Sequence, residues 1–347
     1  MASDLCDPDR YSRQVRFRPV GPEGQARLAR AAVLVVGCGA LGSSVLETLA
    51  RAGVGRLRFV DRDYVELSNL PRQALYTEAD VAQCRPKAIA ARDALRAINS
   101  AVVGEAVVAD FNAATAPALA AGMDLILDGT DNFGVRFLMN ELAIRSDTPY
   151  IYGAALSGVG TIMPVVPGRT PCLRCIMPEP PEPGSVPTCD QVGVIAPVVR
   201  MVAAQEAALA MRAIVAGREE LPARLIQLDA WTPEFTVIDV AAGRRPDCPV
   251  CGCRRFALLD GAGAEDAALD GKAIVQLQPP PGPPPDLERL AARLAGAGAV
   301  THNPHLLRLT VPPHELVLFH DGRCFVRGTA DPAEARRLRD RYLGIPE

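Results

Sequence analysis

The sequence predicts an α/β fold with a doubly wound, mostly parallel sheet, followed by a small C-terminal α+β domain. Three observations support it: an apolar run that leads directly into a glycine-rich turn, strands that alternate with helices through the first half of the chain, and elements in a different order beyond about residue 256. Strands that alternate with helices form parallel sheets with helices on both faces. We therefore expect one domain over residues 1–255 and a second over residues 256–347.

The first element that supports this fold runs from Ala32 to Gly42. The residues from Ala32 to Val36 are apolar and rich in valine, which predicts a strand that is buried on both faces. Glycines in the pattern G-x-G-x-x-G follow, and then a predicted helix from Ser43 to Ala52. Together these elements form a Rossmann-like nucleotide-binding unit, in which the helix N-terminus faces a phosphate. The alternative is a tight turn that binds nothing.

The next apolar run, Leu57 to Val60, ends at Asp61. An acidic residue at this place in a nucleotide-binding unit can accept hydrogen bonds from a ribose. The glycine turn and Asp61 are shared by NAD-dependent oxidoreductases, so they predict a nucleotide without identifying it.

The alternation continues through most of the N-terminal region. A helix from Pro22 to Arg30 precedes the first strand. Further helices are predicted at 86–99, 114–121 and 133–145, and further strands at 102–108, 124–128, 150–153 and 160–166. A proline-rich loop at 178–187 is followed by an apolar helix at 192–216, broken or kinked near Pro197, and by a strand hairpin at 225–228 and 235–240 that extends the sheet.

The C-terminal residues predict a compact α+β domain. Its strands are expected at 273–277, 306–311, 315–319 and 324–326, and its helices begin after Asp286 and Asp331. This gives the order β-α-β-β-β-α. No residue of this domain is predicted to be catalytic.

The composition excludes several classes of protein. The chain has 347 residues, a formal net charge of −3 and 49% hydrophobic residues, so it is globular and lacks the basic character of most nucleic-acid-binding proteins. The sequence shows neither the pattern of a signal peptide nor an apolar run long enough for a membrane span. We expect a cytoplasmic protein with no nucleic-acid or membrane partner.

Four of the ten cysteines stand in two CxxC pairs, Cys172 with Cys175 and Cys248 with Cys251. Disulfides are rare in the cytoplasm, and two such pairs can supply the four thiolates of a tetrahedral zinc site. We therefore expect a structural zinc ion (Zn2+) that joins two distant loops. Redox or catalytic use of these cysteines is the alternative.

Three charged residues are ambiguous by themselves. Asp131 follows a predicted strand at the carboxyl edge of the sheet, where it could hold magnesium beside a triphosphate or could cap the next helix. Arg72 and Lys87 are isolated basic residues, which are usually solvated. Beside the glycine turn, however, Arg72 and Lys87 would provide two cations that bind phosphates. The carboxylates of Asp61 and Asp131 would then bind the ribose and the metal.

Several short motifs then follow one another in collinear order along residues 10–253. They are Arg10-Tyr11-Ser12-Arg13-Gln14, Val36-Gly37-Cys38-Gly39-Ala40-Leu41-Gly42, Val60-Asp61-Arg62-Asp63, Ser68-Asn69-Leu70-Pro71-Arg72-Gln73, Pro86-Lys87, Gly129-Thr130-Asp131-Asn132, both CxxC pairs, and Thr188-Cys189 with Gly193 to Pro197. Together they resemble the MoeB/ThiF/HesA adenylyltransferases, which are relatives of the ubiquitin-activating enzymes. The C-terminal part resembles a domain that some bacterial members carry.

This resemblance implies ATP-dependent activation of a small ubiquitin-like sulfur-carrier protein at its C-terminal Gly-Gly. The carrier carboxylate would attack the α-phosphate of ATP and give an acyl-adenylate and pyrophosphate, in a molybdopterin, thiamine or similar pathway. The resemblance assigns the ribose to Asp61 and magnesium (Mg2+) to Asp131. It also implies further nucleotide contacts, at Gly37, Gly39, Ala40, Gly42, Asp63, Ser68, Leu70, Pro71, Gln73 and Asn132.

The phosphates would be bound by Asn69, Arg72 and Lys87, again by resemblance. Arg13 would reach them from a second subunit, which implies a homodimer. The alternatives to this enzyme are a non-catalytic scaffold of the same fold that binds a carrier-like tail and, from the glycine turn alone, the NAD-dependent oxidoreductase.

Cys189 matches a cysteine that, in some members, takes part in sulfur transfer or links covalently to the carrier. It is either a nucleophile or an ordinary loop residue. No rhodanese-like domain with a reactive cysteine follows it in the sequence, so the resemblance implies that a separate protein would donate the sulfur.

Overall fold

The centre of the computed structural model, which describes residues 7–181, 185–261, 267–268, 273–280 and 282–344, is an eight-stranded sheet. Its strands are β1 (Ala32–Val36), β2 (Arg56–Asp61), β3 (Val103–Val108), β4 (Leu125–Asp128), β5 (Tyr150–Leu156), β6 (Val159–Val165), β7 (Arg224–Asp229) and β8 (Glu234–Asp239). The order across the sheet is β3-β2-β1-β4-β5-β6-β7-β8. β1 to β5 pair in parallel, whereas β5 to β8 pair antiparallel. The predicted α/β fold with a mostly parallel, doubly wound sheet is confirmed.

Helices cover both faces of this sheet. They are α1 (Ser12–Arg16), α2 (Gly21–Arg30), α3 (Ala40–Ala52), α4 (Glu78–Ala82), α5 (Lys87–Ile98), α6 (Ala116–Ala120), α7 (Phe133–Ser146), α8 (Leu173–Ile176), α9 (Cys189–Val192) and α10 (Ala196–Ala216). All five residues of β1 are buried, as predicted. Val33 and Val35 belong to the apolar cluster on the face of α3, α5 and α10, and Leu34 and Val36 belong to the cluster on the face of α6 and α7. Alternate side chains of one strand thus fill two cores.

The helix predicted at 192–216 is interrupted near Pro197, as expected, because α9 ends at Val192 and α10 begins at Ala196. Pro197 lies in the first turn of α10, which runs without interruption to Ala216. Proline is tolerated there because the first backbone N–H groups of a helix have no partner within the helix. The separate one-turn helix α9 precedes it.

A second, six-stranded antiparallel sheet follows in the C-terminal region, as the fold class predicted. Its strands are β9 (Ala267–Ala268), β10 (Ile274–Leu277), β11 (Ala299–His302), β12 (Leu306–Val311), β13 (His314–Phe319) and β14 (Cys324–Arg327), in the order β11-β12-β13-β14-β10-β9. Its helices are α11 (Leu287–Leu294) and α12 (Pro332–Leu343), capped by Asp286 and Asp331 as expected.

The predicted order of elements in this region missed two strands, β9 and β11. Both are edge strands of the second sheet. β11 has only four residues and none of them is buried, so no apolar run marks it in the sequence. Pairing with β12 is what makes it a strand.

The two sheets share a core. Leu306, Val317, Phe319 and Phe325 of the second sheet belong to the same apolar cluster as Val33 of the first. The division between residues 255 and 256 stays a prediction. Within the described ranges, no helix combines the length and the apolar character that crossing a membrane requires.

Candidate active site

The glycine turn is held by close backbone contacts at the carboxyl edge of the sheet. Gly37 adopts a φ of +90° and donates its N–H to the carbonyl of Val60 at 2.8 Å. A Cβ atom on Gly42 would stand 1.9 Å from the carbonyl oxygen of Gly37, and one on Gly129 would stand 2.3 Å from the same atom. Glycine is therefore required at these positions. A Cβ on Gly39 would meet no atom closer than 3.7 Å, so this part of the turn leaves space for a ligand.

Asp61, the expected ribose ligand, ties the glycine turn to the end of β2. Its carboxylate accepts hydrogen bonds from the N–H of Cys38 at 2.7 Å and of Asp63 at 2.8 Å. Burial raises the pKa of Asp61, and the nearby Lys87 opposes that shift. A carboxylate has about four acceptor sites, so it can bind a ribose hydroxyl as well.

Lys87 is buried and ion-paired rather than solvated. Its Nζ lies 2.9 Å from Oδ2 of Asp63, and the residue is only 7% exposed. Burial opposes the charge of Lys87, but the carboxylates of Asp63 and Asp61 outweigh it and raise its pKa. Lys87 therefore holds a fixed positive charge beside the glycine turn.

The residues from 62 to 73, which we call the polar loop, contain a turn of 3₁₀-helix at Leu67–Asn69. Glu66 caps this turn, and its N–H donates to Oδ1 of Asn69 at 3.0 Å. Arg72 donates to the carbonyl of Ser68 at 2.8 Å. Gln73 is buried, and its Oε1 has no hydrogen-bond partner within the described residues, so it can accept a hydrogen bond from a ligand.

The structure excludes one of the two interpretations of Asp131. The cap of α7 is Asn132, whose Oδ1 accepts a hydrogen bond from the N–H of Val135 at 3.0 Å, so the alternative in which Asp131 caps this helix is wrong. Asp131 is exposed at the carboxyl edge, and its charge acts on Lys87. Its carboxylate is thus available to a ligand.

A buried network behind this loop was missed in the sequence. Asp128 accepts a hydrogen bond from the hydroxyl of Tyr150 at 2.7 Å and pairs with Arg136 at 3.4 Å, while Arg136 donates to the carbonyl of Thr130 at 2.8 Å. Burial raises the pKa of Asp128 to about 6 against the opposing charge of Arg136. The signal that could have revealed this network is an arginine on the otherwise apolar first turns of α7.

Tyr76 and Glu206 are two further buried polar residues that the sequence did not reveal. The hydroxyl of Tyr76, three residues beyond the polar loop, donates to the carbonyl of Cys38 at 2.6 Å and so fixes the glycine turn. Glu206 lies beside Gly153 in β5 and has no hydrogen-bond partner for either carboxyl oxygen within the described residues. Burial raises its pKa, and the charge of Asp128 adds to that shift.

Cys189 lies at the same edge of the sheet. It is the first residue of α9, is half-buried, and has its Sγ 3.6 Å from the carbonyl oxygen of Ala155 near the end of β5. The segment that follows is fixed to the turn after β5, because the N–H of Ser157 donates to the carbonyl of Gly193 at 2.9 Å.

Arg13 lies at the other end of α3. The preceding Tyr11 packs against Gly53, and Gln14 donates to the carbonyl of Ala52 at 2.9 Å. Since an α-helix rises 1.5 Å per residue, about 20 Å separates the two ends of α3. The structure therefore does not bring the exposed Arg13 to the glycine turn of its own chain.

The four cysteines of the two CxxC pairs converge as predicted. Their sulfur atoms all lie within 4.8 Å of one another, with Cys172 and Cys248 at 3.6 Å and Cys175 and Cys251 at 3.4 Å. A tetrahedron with zinc–sulfur bonds of about 2.3 Å requires sulfur–sulfur distances of about 3.8 Å. The cluster could therefore bind zinc, and it would join α8 to the loop after β8.

Comparison with known proteins supports the resemblance found in the motifs. Residues 11–250 match the model of the ThiF family. The chain is 40% identical over 337 residues to the sulfur carrier protein ThiS adenylyltransferase of Bacillus subtilis, covering 96% of this chain and 99% of that protein. It is 41% identical over 249 residues to the sulfur carrier protein adenylyltransferase of Thermus thermophilus, covering 70% of this chain and 90% of that protein.

Among solved structures, the crystal structure of E. coli MccB with MccA-N7isoASN is similar in fold. It has a TM-score of 0.61 and 26% sequence identity, over 71% of this chain and 75% of that one. The Bacillus subtilis match spans almost the whole of both chains, so it includes the second sheet, whereas the ThiF family model ends before that sheet.

Proposed function

The chain belongs to the ThiF family, and from that premise we propose that it adenylylates the C-terminal glycine carboxylate of a small sulfur-carrier protein, with ATP as the second substrate. The observation that carries this proposal is the identity of 40% to a ThiS adenylyltransferase along 99% of that protein. One edge of the sheet has the groups that such a reaction needs, namely the buried cation of Lys87, the exposed carboxylate of Asp131 and the open glycine turn.

In the reaction, an oxygen of the carrier carboxylate forms a bond to the α-phosphorus of ATP. The bond from that phosphorus to the bridging oxygen breaks, and pyrophosphate leaves with the electron pair. Phosphoryl chemistry depends mostly on positioning and on neutralising charge. The N-terminus of α3 and the glycine turn would face the phosphates, and Lys87, Arg72 and Asn69 would bind them.

Asp131 would hold a magnesium ion together with phosphate oxygens. The residues fit this ion, because an exposed carboxylate beside a triphosphate gives the oxygen ligands that magnesium prefers. When bound, magnesium would neutralise part of the charge of the pyrophosphate. Asp61 would bind the ribose, and the unpaired Oε1 of Gln73 would accept a further hydrogen bond from the nucleotide.

The active enzyme would be a homodimer. Arg13 stands a helix length away from the glycine turn of its own chain, so it would complete the phosphate site of a partner subunit. The sulfur would come from a separate donor protein, and the reaction would occur in the cytoplasm.

Exchange of labelled pyrophosphate into ATP tests the function. With each ubiquitin-like carrier of the source organism in turn, we expect one carrier to support exchange and the same carrier without its last glycine to fail. Exchange with none of them would favour the non-catalytic scaffold. Elemental analysis of the purified chain should find zinc in stoichiometric amount.

Cys189 stays either a nucleophile that acts after adenylylation or an ordinary loop residue, and neither has a part in the adenylylation step. Cys189→Ala should therefore keep the pyrophosphate exchange, since exchange requires only the first step. Loss of exchange in a folded Cys189→Ala variant would place this residue in the adenylylation step instead.

A further inference from the structure

The second sheet packs against the polar loop, and it does so through side chains of opposite charge. Arg327, the last residue of β14, places Nη1 2.7 Å from Oε1 of Glu66. Its guanidinium also lies over the ring of Tyr64, 5.4 Å from the ring centre, and 3.5 Å from Glu315 of the neighbouring strand β13. One arginine of the C-terminal region thus contacts two residues of the polar loop.

Glu66 connects this contact to the predicted phosphate ligands. It is the capping residue of the turn Leu67–Asn69, and the cap is reciprocal, because Glu66 and Asn69 each bond to the backbone of the other. The N–H of Arg72 donates to the carbonyl of Asn69 at 3.1 Å, and the Arg72 side chain returns to Ser68. Asn69 and Arg72 therefore belong to one hydrogen-bonded unit that begins at Glu66.

The interface around Arg327 is well packed, so Arg327 has a fixed position from which to hold Glu66. Tyr64 is 2% exposed. Nearby, Arg62 donates to Oε1 of Gln276 in β10 at 3.0 Å, and Asn303 donates to the carbonyls of Gln83 and Cys84, both at 3.0 Å. The second sheet therefore contacts the polar loop at its start and the segment beyond it.

We infer that the second sheet positions the phosphate-binding part of the polar loop, with Arg327 as a positioning residue that acts through Glu66. The inference rests on the proposed function and gives the C-terminal region a role in ATP binding. Arg327 also offsets the negative charge of Glu66, which would otherwise stand uncompensated beside residues that bind an anion. A displaced loop would misplace Asn69 and Arg72, and misplaced groups lose much of their effect on a reaction.

The test measures ATP binding by calorimetry, without any carrier, in the full chain. Arg327→Ala should weaken ATP binding by about tenfold, and Arg327→Lys should recover part of it because the charge returns without the guanidinium geometry. Deuterium uptake of residues 64–73 should rise in Arg327→Ala. The matched control is Arg308→Ala, which removes another arginine beside Glu315, at 3.7 Å, and should leave ATP binding unchanged.

A second variant separates positioning through Glu66 from a general loss of structure. If Arg327 acts through Glu66, Glu66→Gln should also weaken ATP binding, and the double variant should bind no more weakly than Arg327→Ala. Additive losses, or unchanged ATP binding and deuterium uptake in Arg327→Ala, would overturn the inference while leaving the proposed function intact. A wild-type chain that binds no ATP would overturn the proposed function and the inference with it.

Discussion

The glycine turn and the polar loop would bind the same nucleotide, but different forces hold them in place. The glycine turn packs closely against other backbone atoms, as the Cβ distances at Gly42 and Gly129 show, in addition to its hydrogen bonds with Asp61 and Tyr76. Side chains fix the polar loop, and one of them, Arg327, comes from a second sheet 261 positions along the chain. A Cβ atom has no room at Gly42 or Gly129, whereas a loop held by ion pairs can move while the fold persists.

The largest expected effect is that of Gly42→Ala, because the glycine turn has no space for a methyl group at this position. The added methyl group would overlap the carbonyl of Gly37, so we expect a loss of about 3 kcal/mol or more in the free energy of unfolding and no measurable ATP binding. Urea unfolding would measure the free energy of unfolding, and calorimetry would measure ATP binding. Gly39→Ala is the control: it should keep the stability, because its Cβ has room. Equal stability of Gly42→Ala and wild type would contradict the argument.

The second prediction concerns Asp131, whose loop approaches the glycine turn but whose side chain is exposed. Asp131→Ala should reduce carrier-dependent pyrophosphate exchange by about a hundredfold or more, as expected when a group that stabilises transition-state charge is lost. Its melting temperature should stay unchanged, because Asn132 caps α7. Asn132→Ala should instead destabilise the protein by about 1 kcal/mol. Undiminished exchange in Asp131→Ala would exclude its magnesium role.

The third prediction tests the polar loop directly. Arg72→Ala removes one hydrogen bond to Ser68 and no described ion pair, so the melting temperature should change little while the KM for ATP rises about tenfold. Steady-state kinetics at saturating carrier would measure it. An unchanged KM would show that Arg72 does not contact the phosphates.

The smallest effect extends the comparison to Glu206, whose carboxyl oxygens accept no hydrogen bond from the described part of the chain. Its folded pKa is raised, so the folded state keeps the proton to higher pH than the unfolded state, and stability falls as pH rises from about 4.3 through the folded pKa. Glu206→Gln should remove this slope, which is at most about 1.4 kcal/mol per pH unit.

Urea unfolding of wild type and Glu206→Gln from about pH 4.3 upward isolates this effect, because 4.3 is the usual pKa of a glutamate in an unfolded chain. Asp128, whose pKa is about 6, produces a slope of the same sign in both proteins, so it cancels in the comparison. Parallel curves for wild type and Glu206→Gln in that range would contradict the prediction.

Much of the molecule could be predicted from local sequence. The apolar run of β1, the glycine turn and the caps Asp286 and Asp331 act over a few residues, and the structure has each of them where expected. The CxxC pairs were equally informative, since two such pairs can supply the four thiolates of a structural zinc site. The strand β11 was not predicted, because its pairing with β12 rather than an apolar run makes it a strand.

The sequence by itself determined the parallel sheet, the nucleotide-binding turn and the four-cysteine cluster, because spacing along the chain specifies backbone geometry and ligand sets. Only the tertiary structure decided that Lys87 is buried against Asp63 and that Arg327 holds the polar loop. These depend on the burial of charge and on pairs of side chains far apart in sequence, and a pattern of neighbouring residues contains neither.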